Sequence, residues 1–203
     1  MSAFPVSPFR ILITSGLSDP SNFSTQRIEI LKAVELAADA GIEIVQIREK
    51  RLPGRLLCEL VREAAAVTNC SNTKLLVNER FDIALAAGAD GVHLTSTSMP
   101  AARVREAVPR GFLIGVSTHS YTEVEAAMES GADYAMVGPI FQTPGKDDPI
   151  GLDELAKFCR TVSPFPVVAV GGIDASNEAA AIEAGAAGIA AVRFLNDFVR
   201  IGQ

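Results

Sequence analysis

The chain has 203 residues, 48% hydrophobic and 21% charged, which is enough apolar content for one buried core and too much for a disordered segment. Eighteen Lys and Arg against 24 Asp and Glu give a net charge of −6, which makes the chain a poor candidate for non-specific nucleic-acid binding while leaving room for local basic clusters that hold small phosphates. No run approaches the ~18–20 apolar residues of a membrane span, and residues 1–10 carry two prolines without a basic-then-apolar pattern, so neither a membrane nor a signal peptide is expected.

Apolar runs at 10–15, 42–48, 74–78, 91–95, 113–117, 134–139, 167–170 and 188–192 read as buried strands. Helical periodicity separates them, as over 25–40, 54–68, 121–130 and 174–184. A phrase recurs at four of the helix-to-strand junctions: Ala40-Gly41-Ile42-Glu43, Ala87-Gly88-Ala89-Asp90, Ser130-Gly131-Ala132-Asp133 and Ala184-Gly185-Ala186-Ala187. A glycine just past a helix end adopts the left-handed conformation cheaply and stops the helix. Strict β-α alternation predicts an α/β chain, and eight units over residues 1–203 predict one domain, a small (β/α)8 or TIM barrel. A doubly wound sheet is the rival. Only residues 195–203 remain for the last helix, so it is expected to be short or incomplete, with a neighbouring subunit of a homodimer covering that side. Cys58, Cys70 and Cys159 are odd in number and show no CxxC spacing. Each is expected on a helix as a small apolar residue, in a reduced, cytoplasmic chain.

In such barrels chemistry sits at the C-terminal ends of the strands. There, alternation puts Gln46, Arg48 and Lys50 on one side of the second strand, facing the interior or its mouth. An inward Arg and Lys must be paired or serve a ligand. Pairing with Glu49, Glu79 or Asp147 competes with anion binding, for which Arg offers a bidentate fork and Lys a point charge. Gly171-Gly172-Ile173-Asp174 is expected to open the seventh helix and bind phosphate through bare backbone N–H groups, with Arg193 beside it. His119 is a candidate acid or base, whereas His93, inside an apolar phrase, reads as structural. The histidines lack metal-ligand spacing; a magnesium held between substrate phosphates and Glu79, Asp147 or Asp148 is the metal arrangement left.

These residues together resemble the thiamine phosphate synthase/TenI family over nearly the whole chain. The phrases are Gln46-Ile47-Arg48-Glu49-Lys50, Val77-Asn78-Glu79-Arg80, Gly88 to Leu94, Gly115-Val116-Ser117-Thr118-His119, Val137 to Phe141 with Thr143 and Lys146, and Val170-Gly171-Gly172-Ile173. The resemblance implies a synthase that joins an aminopyrimidine diphosphate to a thiazole phosphate and releases pyrophosphate. It implies that Gln46, Arg48, Lys50, Asn78 and Lys146 hold the diphosphate and pyrimidine, with Arg48, Lys50 and Lys146 catalytic in the synthase and His119 catalytic in the tautomerase alternative. Ser117, Thr143, Gly172 and the end of the eighth strand would hold the thiazole phosphate. Departures from the family pattern fall on the acids that hold Mg²⁺: Glu79 stands where an Asp is usual, and Ser98 replaces a second Asp. Gly145 stands where a second Thr is frequent, and Arg193 replaces a small Ser. TenI-type tautomerases, which aromatise the thiazole carboxylate phosphate without metal through the histidine matching His119, are the alternative. A non-catalytic thiazole- or thiamine-phosphate-binding protein is the third.

Overall fold

The computed structural model describes residues 4–146 and 148–201. Among them the elements alternate as β1 (Phe9–Ile13), α1 (Phe23–Asp39), β2 (Ile44–Ile47), α2 (Gly54–Thr68), β3 (Lys74–Asn78), α3 (Phe81–Ala87), β4 (Gly91–Leu94) and α4 (Ala101–Ala107). They continue as β5 (Leu113–Thr118), α5 (Tyr121–Glu129), β6 (Tyr134–Val137), α6 (Leu152–Val162), β7 (Val167–Val170), α7 (Glu178–Glu183), β8 (Gly188–Ala191) and α8 (Arg193–Ile201). The strands pair in parallel and in sequence order, and β8 returns to β1. Closure excludes the doubly wound sheet and makes the fold a TIM barrel.

Both faces of each strand are covered, which is why the strands read as unbroken apolar runs rather than alternating ones. One set of side chains, including Ile11, Ile44, Leu76, Leu113 and Val168, fills the barrel. The other set, including Val45, Leu75, Val92, Ile114 and Ile189, packs against the helices. The phrase glycines take the left-handed conformation expected of them, with φ of 73°, 80°, 78° and 103° at Gly41, Gly88, Gly131 and Gly185.

Three expectations need correction. The seventh helix begins at Glu178, not Asp174. Asp174 Oδ1 instead accepts from the amide and hydroxyl of Ser176, at 2.8 and 2.6 Å, and Asn177 Oδ1 accepts from the Asp174 amide at 2.9 Å. Such local side-chain bonds offer the backbone an alternative to helix. Cys70 lies beyond the end of α2 and is exposed, whereas Cys58 and Cys159 sit half-buried in α2 and α6; all three are free thiols. The last helix starts at Arg193 rather than 195, yet at nine residues it is as short as expected. No helix among the described residues is long and apolar enough to cross a membrane.

Candidate active site

The inward positions near the ends of β2 to β5 carry Gln46, Asn78, His93 and Ser117, a polar layer on top of the apolar filling. Gln46 and Asn78 are buried, and Gln46 Nε2 donates to Asn78 Oδ1 at 3.1 Å. Asn78 Nδ2 donates in turn to Glu79 Oε2 at 2.9 Å. Gln46 Oε1 is buried and receives no hydrogen bond from the described residues. A buried acceptor without a donor is costly, so this oxygen is ready for a ligand N–H.

Arg48 follows, half-buried, and pairs with no carboxylate among the described residues. Glu49 does not neutralise it. Its Oε1 accepts from the Thr14 hydroxyl at 2.7 Å and the Gly16 amide at 3.1 Å, and its Oε2 from the Ser18 amide at 2.9 Å. Glu49 therefore braces the loop between β1 and α1 and leaves the Arg48 guanidinium for an anion. Lys50 Nζ stands 3.4 Å from Glu79 Oε2. Of the pairings in competition with anion binding, this is the one the structure contains; Asp147 lies outside the described residues.

Glu79 has φ of 62°, the one positive value off glycine among the described residues. Long side chains seldom adopt this conformation, and such strain concentrates at functional sites. Its Oε1 accepts from the hydroxyls of Thr95 at 2.6 Å and Thr97 at 3.4 Å. The Thr95 hydrogen bond foremost, then the Lys50 charge, hold its carboxyl below the ordinary range against the opposing effect of burial. Glu79 is thus ionised at neutral pH. Ser98 Oγ accepts from the Thr95 amide at 2.9 Å and closes the turn after β4. Among the described residues no three His, Cys, Asp or Glu side chains gather as a metal group, and Asp148 is exposed.

His93 is buried between Tyr134, whose hydroxyl is 3.0 Å from Nδ1, and Ser117, whose hydroxyl is 2.8 Å from Nε2. Burial, aided by the nearby Arg48 cation and opposed by Glu79, pushes its pKa down to about 4, so the ring is neutral. His119 is exposed beyond β5. Its Nδ1 donates to the Gly138 carbonyl at 3.0 Å, and its Nε2 has no hydrogen-bond partner among the described residues.

The loop between β6 and α6 carries Thr143 and Lys146. The Ile140 amide donates to Val170 O at 2.9 Å and the Phe141 amide to Gly171 O at 3.0 Å, fastening the loop to the end of β7. Gly171 and Gly172 permit this approach. Both have positive φ, and a Cβ would meet Pro139 Cα at 2.6 Å or Gln142 O at 2.7 Å. The Thr143 hydroxyl donates to Phe141 O at 2.9 Å, while Lys146 is exposed and pairs with no carboxylate among the described residues. The Gly171 and Gly172 amides donate to no acceptor among those residues and remain open to an oxyanion. They lie in a loop, not at the start of α7 as expected, so loop amides rather than a helix terminus make this part of the site. Arg193 opens α8 at the end of β8, and its side chain lines a cavity of about 220 Å³ between α1 and α8 with Gln26, Asn196 and Arg200.

The sequence did not single out Thr14, Thr95 or Tyr134. Their roles depend on partners on other strands. Only Glu49 carried a local signal, being the one charge off the inward face of its segment.

Fold and mouth together define a class: a (β/α)8 barrel whose strand ends present cations, loop amides and an orphaned buried acceptor in one place. The family model described as thiamine monophosphate synthase matches residues 18–195, and the chain belongs to that family. The thiamine-phosphate synthase of Methanoculleus marisnigri is 44% identical over 160 residues, 77% of this chain and 75% of that one. That of Gloeobacter violaceus is 44% identical over 167 residues, 81% of this chain and 49% of the relative, so the chain spans about half of that protein's length. The solved structure of thiamine phosphate pyrophosphorylase from Pyrococcus furiosus matches with a TM-score of 0.79 at 29% identity, covering 95% of this chain and 91% of that one.

Proposed function

We propose that this chain is a thiamine-phosphate synthase, a transferase that joins an aminopyrimidine diphosphate to a thiazole phosphate and releases pyrophosphate. The observation that carries this reading is Arg48: a half-buried guanidinium at the barrel mouth, with its neighbouring carboxylate turned away into the loop after β1. Lys146, without a carboxylate partner among the described residues, extends the same clamp from the loop after β6. In the reaction the thiazole nitrogen attacks the carbon that bears the diphosphate, the carbon–oxygen bond breaks, and pyrophosphate leaves with the electron pair. Arg48, Lys50 and Lys146 would meet the charge that grows on the leaving group. Gln46 Oε1 and Asn78 would orient the pyrimidine. Ser117, Thr143 and the amides of Gly171 and Gly172, with Arg193 nearby, would hold the thiazole phosphate, so that binding aligns the two reactants.

Glu79 fits a magnesium ion in kind, being an ionised carboxylate surrounded by hydroxyl oxygens, and one carboxylate plus substrate phosphate oxygens is a set that this ion accepts. When bound, Mg²⁺ would neutralise part of the diphosphate charge. Ser98, occupied in its turn, adds no charge to that set. The same proposal includes one domain over residues 1–203, the cytoplasm as the working compartment, and a homodimer covering the short α8, on which Phe198 is 40% exposed; a solution mass reads the last directly.

A second reading, thiazole tautomerase, is favoured by His119, whose Nδ1 bond leaves Nε2 as a base. Two variants separate the readings. Lys146→Ala is expected to slow thiamine phosphate formation about 10²-fold, because it removes a cation from the leaving group. His119→Ala is expected to leave most of it. A protein that forms no thiamine phosphate but aromatises the non-aromatic thiazole, and loses that activity in His119→Ala while keeping it in Lys146→Ala, would hand the assignment to the tautomerase. Ligand affinity without turnover in either assay would leave a binding protein.

A further inference from the structure

Tyr134 opens β6, and Gly115 stands opposite it on β5. A Cβ at position 115 would lie 2.1 Å from Tyr134 Cζ and 2.3 Å from its hydroxyl oxygen, so the phenol ring occupies the space of an absent side chain. That vacancy lets Tyr134 pass over β5 and reach His93 on β4, where its hydroxyl lies 3.0 Å from Nδ1 and the rings stack with centroids 5.8 Å apart. His93 Nε2 then lies 2.8 Å from Ser117 Oγ at the barrel mouth. Three strands thus contribute one continuous hydrogen-bonded chain, sealed from solvent at its tyrosine end.

The order of protons in this chain follows from what each group can give. Burial keeps the Tyr134 phenol protonated, and among the described residues His93 is its one hydrogen-bond partner, so the hydroxyl donates to Nδ1. A neutral imidazole that accepts at Nδ1 carries its proton on Nε2. Nε2–H therefore donates to Ser117 Oγ. Ser117 accepts there with a lone pair, and its own O–H finds no acceptor among the described residues.

We propose that Tyr134 and His93 are positioning residues that act through Ser117: Tyr134 fixes the Nε2–H tautomer of His93, and His93 turns the Ser117 O–H toward an anionic substrate oxygen at the mouth. The substrate side of this inference rests on the synthase reading, in which Ser117 holds the thiazole phosphate. The tautomer and the order of donors do not. Neither Tyr134 nor His93 need touch the substrate. Gly115 belongs to the device as the position that gives the phenol its passage.

Two measurements on the full-length protein test it. In the first, the chain is labelled with ¹⁵N-histidine, and its two histidines are resolved in a long-range ¹H–¹⁵N correlation spectrum. The wild-type His93 is expected in the Nε2–H form, and Tyr134→Phe is expected to populate the Nδ1–H form as well. A wild-type His93 with its proton on Nδ1 would overturn the proposal, whether or not the protein turns over substrate. The second measurement is kinetic. His93→Leu and Ser117→Ala are each expected to lower the rate of thiamine phosphate formation at subsaturating thiazole phosphate, kcat/KM, by about 10²-fold, chiefly through a higher KM for that substrate. The double variant is expected to lose no more than either single one, because both remove the same aligned O–H. His93→Gln, whose side-chain amide can still donate to Ser117, is expected to recover most of the rate. Losses that multiply in the double variant, or a Gln variant as poor as Leu, would show that His93 only fills space. Absence of thiamine phosphate from the wild-type reaction would defeat the synthase reading and leave the spectrum to decide the tautomer.

Discussion

A histidine inside a barrel has to be explained twice, once for its burial and once for its hydrogen bonds. The apolar phrase around His93 announces the burial, and the residue is 2% exposed. The hydrogen bonds were not visible, because Ser117 and Tyr134 lie 24 and 41 residues away and meet His93 only through strand register. Burial also gives His93 a measurable signature. Its pKa is about 4 in the folded protein against an ordinary 6.5. Between those values the unfolded chain binds more protons, so stability falls as the pH falls, by up to about 3 kcal/mol once pH 4 is reached. Urea titrations at pH 7 and pH 4 are expected to show that loss in the wild type and a smaller one in His93→Gln. Equal losses in both proteins would mean that His93 takes up its proton without cost. Glu79 presents the opposite case. Its identity was legible as a departure from the family pattern, but its positive φ and the Thr95 bond that keeps it ionised were not.

Strands and helices were read well where a period and a stop signal agreed. The segment 54–68 matches α2 at both ends, because an amphipathic period runs unbroken to a polar, turn-rich stretch. The seventh helix was read too long, because Asp174, Ser176 and Asn177 spend their side chains on local backbone bonds that periodicity does not register. The same limit hid the most consequential loop. Glu49 reads from sequence as a pairing partner for Arg48 and Lys50, yet it accepts three hydrogen bonds that hold the segment between β1 and α1. Its replacement is expected to be costly. Glu49→Ala would strand the Thr14 hydroxyl and the Gly16 and Ser18 amides, and a loss of about 2–4 kcal/mol in urea-induced unfolding is the expected outcome. Removing Glu49 would also free Thr14, which accepts from the Arg48 amide at 2.8 Å, so the site should loosen with the loop. Unchanged stability in that variant would mean that water replaces the carboxylate at no cost.

The recurring glycine phrase at the helix-to-strand junctions and the eight apolar runs make the barrel legible in the sequence. A closed parallel sheet then places every strand end on one face, which is how Gln46, Asn78, Ser117 and Gly171, spread from β2 to the loop after β7, come to share a mouth. That convergence is what makes an anionic reactant pair the natural occupant. The most direct measurement is therefore product formation by the purified protein given aminopyrimidine diphosphate and aromatic thiazole phosphate, first with magnesium and then with EDTA. The proposal predicts thiamine phosphate and pyrophosphate in equal amounts with magnesium, and little product after chelation. A folded protein that yields neither product with magnesium present would contradict it.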